Sequence, residues 1–242
     1  MSGHSKWAQI KRQKGVADAR RSATFGKLTC AITIAARQGA DPTMNFQLRI
    51  AIDKAKAANM PKDNIERAID RGKGGAAGGL EEMSLEAYGP GGTAYLIEAA
   101  TDNRNRTISE VRAHLNKFDG KLAESGAVKY LFKHVGQIIY ETDKPEELEL
   151  SAIDAGATDV EQDGGTVVVT TEPKGLEAVR RNLEELGYES NEVGLEWHPT
   201  ATVPVTDPAI AKKVIHLSEA LDVLDDVTHV SSNFDVPAEL IE

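Results

Sequence analysis

Between Gly72 and Glu82 the chain reads GKGGAAGGLEE, five glycines and two alanines in eleven residues. A stretch with so little side chain to bury behaves as a flexible connector. The hydrophobic period changes across it, from spacings of three and four before to alternation after. That change constrains the fold more than any other feature. A helical unit must be joined to a unit that contains sheet, because one layer of a single secondary structure cannot satisfy both periods.

Before the connector, Phe25, Leu28, Ile32 and Ala35 mark one face of a first helix, which Gly39, Ala40, Asp41 and Pro42 terminate. Met44, Leu48, Ala51, Ile52 and Ala55 mark a second. NMPKDNIERAIDRG predicts a third, with Pro61 in its first turn, Ile65 and Ile69 on its apolar stripe and Gly72 as its C-cap. After the connector, MSLEAY and TAYLIEAA read as strands joined at GPGG. TISEVRAHLNKF reads as a helix, with Thr107 and Glu110 spaced as a capping box, and AVKYLF as a strand. From Gln137 the order becomes strand, helix, strand, strand, helix, strand, which is the ferredoxin-like unit. A helix at DPAIAKKVIHLSEALDVLDD and a strand at VTHVSSNF then return to the interrupted sheet. The expected fold is multidomain, α and α+β. A basic helical domain occupies 1–75, a discontinuous α+β domain 80–135 and 200–242, and an inserted ferredoxin-like α+β domain 136–199.

Charge divides at the same place. The 242 residues carry a formal charge of −10, yet residues 1–73 hold 15 basic and 6 acidic side chains, net +9, and the remainder 13 and 32, net −19. Lys6, Lys11, Arg12, Lys14, Arg20, Arg21 and Lys27 fall within the first thirty residues, opposed only by Asp18. Lysine and arginine at this density neutralise phosphates and release counterions, an affinity that needs no sequence readout. Trp7 within the run offers a face on which an unpaired base stacks. The same residues also suit a solvated helix face with Trp7 docked on the bundle; the chain-wide asymmetry favours the phosphate reading. In TDNRNRT, Arg104 and Arg106 stand at a predicted helix start, where backbone N–H groups favour anions. A second phosphate contact and a structural pairing with nearby carboxylates fit that position equally.

Other chemistries find little support. One cysteine, Cys30, excludes an intrachain disulfide and a multi-thiolate metal site, and its place on an apolar helix side reads as core. His4, His114, His134, His198, His216 and His229 lack metal-ligand spacing. No Gly-Lys pair is followed by Ser or Thr, so there is no Walker A motif. Gly89 to Ala94 matches a loose dinucleotide pattern, but a strand follows it where a helix is required, so a tight hairpin turn fits better. The predicted ferredoxin-like unit has no basic-aromatic run of the RNA-recognition type, and its acids suit a protein partner. No enzyme, no cofactor and no membrane contact are expected. The basic start lacks the apolar segment of a secretory signal and runs directly into helix, so a cytoplasmic protein is expected.

GHSKW at Gly3–Trp7, NMPKDNIERAI at Asn59–Ile69, YGPGGTA at Tyr88–Ala94 and DNRNRT at Asp102–Thr107 together resemble the YebC/PmpR family, which includes the mitochondrial translational activator of cytochrome c oxidase. The resemblance runs essentially end to end. It implies three domains, a helical bundle and two α+β domains with one inserted in the other, and a non-enzymatic regulator. Family members are described as DNA-binding transcriptional regulators, or as ribosome-associated factors that aid translation through proline-rich stretches. The implied partner is therefore DNA, ribosomal RNA, or both.

Overall fold

The computed structural model of the protein describes residues 21–74 and 79–240. It opens with three helices: α1 (Arg21–Arg37), α2 (Phe46–Ala57) and α3 (Lys62–Lys73). Their shared core is built from Ile32, Leu48, Ala51, Ile52, Ala55, Ile65 and Ala68. Alanine at so many of these positions lets the helix axes approach closely. Asn45 joins the first two: its Oδ1 accepts from Leu48 N at 3.1 Å as the N-cap of α2, while its Nδ2 donates to Ala35 O and Gly39 O, both at 2.7 Å.

Two boundaries differ from those read off the sequence. Pro61 is the cap residue before α3, and Gly72 lies inside the helix, with Gly74 as the C-cap. Gly72 is required by packing: a Cβ there would stand 2.5 Å from Thr33 O and 2.6 Å from Ala36 Cβ on α1. Met44 precedes the cap of α2 and is 86% exposed, so it does not belong to the apolar stripe.

After the connector come β1 (Glu81–Tyr88), a single 3-10 turn at Pro90–Gly92, and β2 (Ala94–Thr101). The strands pair antiparallel from Glu81 with Thr101 to Tyr88 with Ala94. Gly91 and Gly92 carry the turn with φ of 70° and 77°, the left-handed region that glycine enters without strain. Next follow α4 (Arg104–Lys117), β3 (Lys121–Leu122) and, from Phe132, β4 (Phe132–Glu141). The segment AVKYLF is not one strand: Lys129–Leu131 forms a 3-10 turn and extension begins at Phe132. The predicted capping box at Thr107 and Glu110 is also replaced. Asn103 is the N-cap of α4, its side chain accepting from Arg106 N, and Thr107 is buried in the first turn.

By internal packing the chain divides into two compact units, Lys133–His198 and the rest. The first holds most of β4, then α5 (Pro145–Asp154), β5 (Asp159–Asp163), β6 (Thr166–Thr171), α6 (Leu176–Glu185) and β7 (Glu192–Pro199). Its strands lie in the order β5-β6-β4-β7, with β6 antiparallel to both neighbours. Ile138, Tyr140, Leu148, Val167, Val169, Leu176 and Leu183 are fully or almost fully buried within it. In the other unit, β8 (Val203–Pro204), α7 (Pro208–Asp222), β9 (Val227–Ser232) and β10 (Phe234–Asp235) complete the chain. There β9 pairs antiparallel with β2, giving the sheet β3-β1-β2-β9. Tyr95, Val111, Leu115, Val214, Leu217 and Phe234 form the core between this sheet and the helices α4 and α7.

Candidate nucleic-acid interface

Of the basic residues expected to meet phosphate, Lys6, Lys11, Arg12, Lys14 and Arg20, together with Trp7, lie outside the described residues. Arg21 opens α1. Lys27 sits one and a half turns further on, and its ammonium has been taken up by the fold. It donates to the backbone carbonyl of Asp222, at the C-terminus of α7, and lies 3.5 Å from the Asp222 carboxylate. Both side chains are largely buried, and a cation at a helix C-terminus is favoured by the exposed carbonyl dipoles. Lys27 is thus an anchor between the helical bundle and α7.

Arg37 Nη2 donates to Leu80 O at 2.7 Å, and several other cations of the bundle are answered locally. Lys56 lies 3.5 Å from Asp53, Lys62 3.4 Å from Glu66 and Lys73 2.8 Å from Asp70. Arg67 Nε donates to Asp63 O at 3.1 Å, and Arg49 stacks its guanidinium over Phe46, 5.4 Å from the ring centre. Exposed pairs three or four residues apart contribute only about 0.3–0.5 kcal/mol each. A phosphate arriving at such a surface therefore displaces a carboxylate at little cost, and the net excess of positive charge decides the attraction.

Arg104 and Arg106 are held differently. Arg104 Nη1 meets Glu81 Oε1 at 2.9 Å. Arg106 Nη2 meets Asp102 at 3.0 Å and both oxygens of Asp226, at 2.9 and 2.8 Å. Asp226 also accepts from Thr107 Oγ1 at 2.6 Å and Thr101 Oγ1 at 3.0 Å. Desolvation raises the pKa of the Asp226 carboxyl, but the hydrogen bonds from Thr107, Arg106 and Thr101 outweigh it and hold the group below the ordinary carboxylate range. Both arginines make the carboxylate pairs that one of the two sequence readings expected, while about half of each side chain stays exposed.

Sequence reasoning missed Glu86. It is buried in β1, and its carboxylate accepts three backbone N–H groups, from Gly126 and Val128 at 2.6 Å and Lys129 at 2.8 Å. Burial raises its pKa, and those three donors together with the Lys129 charge bring it below the ordinary value. β1 also carries Glu81, and Glu86 continues the polar alternation of Glu82 and Ser84, so nothing in the sequence set it apart. Cys30 is half-buried and its thiol pKa is pushed up, first by burial and then by the Asp226 charge, which disfavours the thiolate a nucleophile needs. Among the described residues no three His, Cys, Asp or Glu side chains cluster to hold a metal ion. No described helix is long and apolar enough to cross a membrane.

Two family models match the chain: the TACO1/YebC protein N-terminal domain over residues 5–75 and the TACO1/YebC second and third domain over residues 80–234. The chain belongs to the TACO1/YebC family. Similar TACO1/YebC relatives include a "probable transcriptional regulatory protein" of Rubrobacter xylanophilus, 49% identical with 100% of this chain and 98% of the relative aligned. Another of the same description, from Fusobacterium nucleatum, is 46% identical with 100% and 99% aligned. A crystal structure of a conserved hypothetical protein from Aquifex aeolicus superposes with a TM-score of 0.87 at 44% identity, covering 93% of this chain and 94% of that one. The chain is thus a member of a family whose curated relatives are named as transcriptional regulators, on a mixed α+β fold.

Proposed function

We propose that this TACO1/YebC member is a non-enzymatic, cytoplasmic nucleic-acid-binding regulator, and in the first place a DNA-binding transcriptional regulator. Residues 1–75 are its binding domain, residues 80–135 with 200–242 its discontinuous α+β domain, and residues 136–199 an inserted ferredoxin-like domain. The observation that carries the reading is the division of charge: net +9 over residues 1–73 against −19 over the remainder. A polyanion is attracted to the first part and repelled by the second, which orients the protein on it. The name that the relatives carry, probable transcriptional regulatory protein, supports the transcriptional form. Lys6, Lys11, Arg12, Lys14, Arg20 and Arg21 supply the phosphate contacts and Trp7 a stacking face. Lys27 contributes by fixing α1 to α7 rather than by touching phosphate.

The test is affinity for duplex DNA, structured RNA and whole ribosomes across a salt series. For each phosphate neutralised, log K falls by roughly 0.7–0.9 per log unit of salt. Replacing Lys11, Arg12, Arg20 and Arg21 with glutamine flattens that slope by about three to four. An unchanged slope overturns the basic-arm reading. Retention on ribosomes without sequence-selective duplex binding replaces the transcriptional reading with a ribosome-associated factor that binds ribosomal RNA.

A further inference from the structure

The motif YGPGG, which the proposed function leaves unused, forms one wall of a cleft. The opposite wall is the turn from α4 to β3, and the open volume between them is about 880 Å³. Tyr88, Asn116, Asp119 and Lys121 line it, over a floor of Gly89, Gly92 and Gly120. We propose that this cleft, where the one acid Asp119 is paired with Lys213 and Lys121 leaves a local positive charge within the net-negative part of the chain, is a second nucleic-acid contact, in which one unpaired base stacks on Tyr88 while Lys121 meets the phosphate joined to it. The proposal rests on the nucleic-acid-binding reading above.

The ring is preorganised. Tyr88 is 37% exposed, yet its hydroxyl donates to Ala127 O at 3.3 Å. The loop that carries Ala127 is itself fixed, because Glu86 accepts from Gly126, Val128 and Lys129. A ring already held in place loses little conformational freedom when a base lies on it. Lys121 Nζ lies over that ring, 5.8 Å from its centre, and in the proposed complex its flexible stem swings from the ring face to the phosphate as the base takes its place.

The three glycines differ in what they face. Gly89 and Gly120 are glycine for internal reasons, since a Cβ would stand 2.3 Å from the Tyr95 ring and 3.0 Å from Tyr88 O respectively. Gly92 is different: its φ is 77°, and nothing lies within 4 Å of where a Cβ would be. Its backbone therefore faces open space in the cleft. Asp119, with φ of 60°, is the left-handed residue that ends α4, where Gly120 N donates to Leu115 O at 2.8 Å. Its carboxylate is met by Lys213 Nζ at 2.6 Å, so the one acid in the cleft is neutralised. Asn116, exposed on the last turns of α4, offers the paired donor and acceptor that suit a base edge. A cation beside an aromatic ring, with the local acid already paired, fits a nucleotide better than an uncharged peptide.

The experiment uses the full chain and a nine-nucleotide single strand carrying 2-aminopurine at its centre, in RNA and DNA forms, beside the same strands with an abasic site there. The intact strand is expected to bind about tenfold more tightly than the abasic one, with quenching of 2-aminopurine. Tyr88→Phe, which loses the bond to Ala127 O but keeps the ring, lowers that ratio only slightly, and Tyr88→Leu brings it to about one. Asn116→Ala, at an exposed position that does not threaten folding, lowers the ratio severalfold. In a chain with Lys11, Arg12, Arg20 and Arg21 replaced by glutamine, both strands bind more weakly and the ratio persists, which separates failure of the cleft from failure of the arm. A ratio of one in the unaltered chain, or a ratio left unchanged by Tyr88→Leu and Asn116→Ala, overturns the proposal. So do chemical-shift changes at Tyr88 that an uncharged extended heptapeptide produces and the strand does not.

Discussion

Lys56, Lys62 and Lys73 on the helical bundle each face a carboxylate three or four residues away on their own helix, in full contact with water. Arg106 faces Asp226, 120 residues away, and shares it with two threonine hydroxyls in a partly buried knot. The first kind of pair is readable from the sequence and adds little; the second is invisible in the sequence and fixes the start of α4 to the segment before β9. Basic residues in a motif therefore say nothing about availability until their distant partners are known. Lys27 apart, the bundle packs apolar side chains closely and keeps its short-range ion pairs on the surface, whereas the α+β region uses arginine and carboxylate for its internal order.

The sharpest way to break this comparison is to remove the carboxylate of the knot. Asp226→Asn leaves Thr101, Thr107 and Arg106 competing for one acceptor, and a loss of about 2–3 kcal/mol in urea unfolding is expected. In the bundle the comparable sensitivity lies in packing: Gly72→Ala drives a methyl into Thr33 O and Ala36. We expect a net loss of about 2 kcal/mol, after a gain of up to about 1 kcal/mol in helix propensity has been offset. Acid sharpens the contrast. Asp226 and Glu86 both titrate below their ordinary values, about 3.9 and 4.3. Their contribution is present above those values and is lost as the pH falls through the lower folded-state pKa values, because the unfolded chain takes up the protons first. Hydrogen-exchange protection factors at Gly126, Val128 and Lys129 should fall on acidification before those of amides in α1 and α3 do. The smallest effect is expected at the surface pairs, where Lys62→Ala changes stability by no more than about 0.5 kcal/mol.

The element types were largely legible because period carries them. Ile32, Leu48, Ala51, Ile52, Ala55 and Ile65 declared the bundle core, and the short apolar runs around Ile97 and Val169 declared strands. Legibility failed where a residue answers to something outside its own segment. Gly72 looks like a helix end because glycine often is one, but its position is set by the backbone of α1. Thr107 has the spacing of a capping box, but its hydroxyl is used by Asp226. Glu86 belongs to a loop forty residues on. For the candidate interface, composition supplied the sign and place of the charge, while the engagement of Lys27 with Asp222 and of Arg106 with Asp226 required the fold.

The sheet of the larger unit bears on how the chain reaches its native state. Strand β2 is nearly all buried, and one of its two neighbours, β9, begins at Val227, beyond the whole Lys133–His198 unit. During synthesis from the N-terminus, β2 therefore waits with one edge bare for more than a hundred residues. Asn233, whose side chain accepts from Ala94 N, lies 139 positions away from its partner. Pairing at that separation is slow, and a bare apolar edge is a template for misassociation. The last strand thus acts as the closing step of biogenesis, and an interruption of translation shortly before Val227 is expected to leave an aggregation-prone chain.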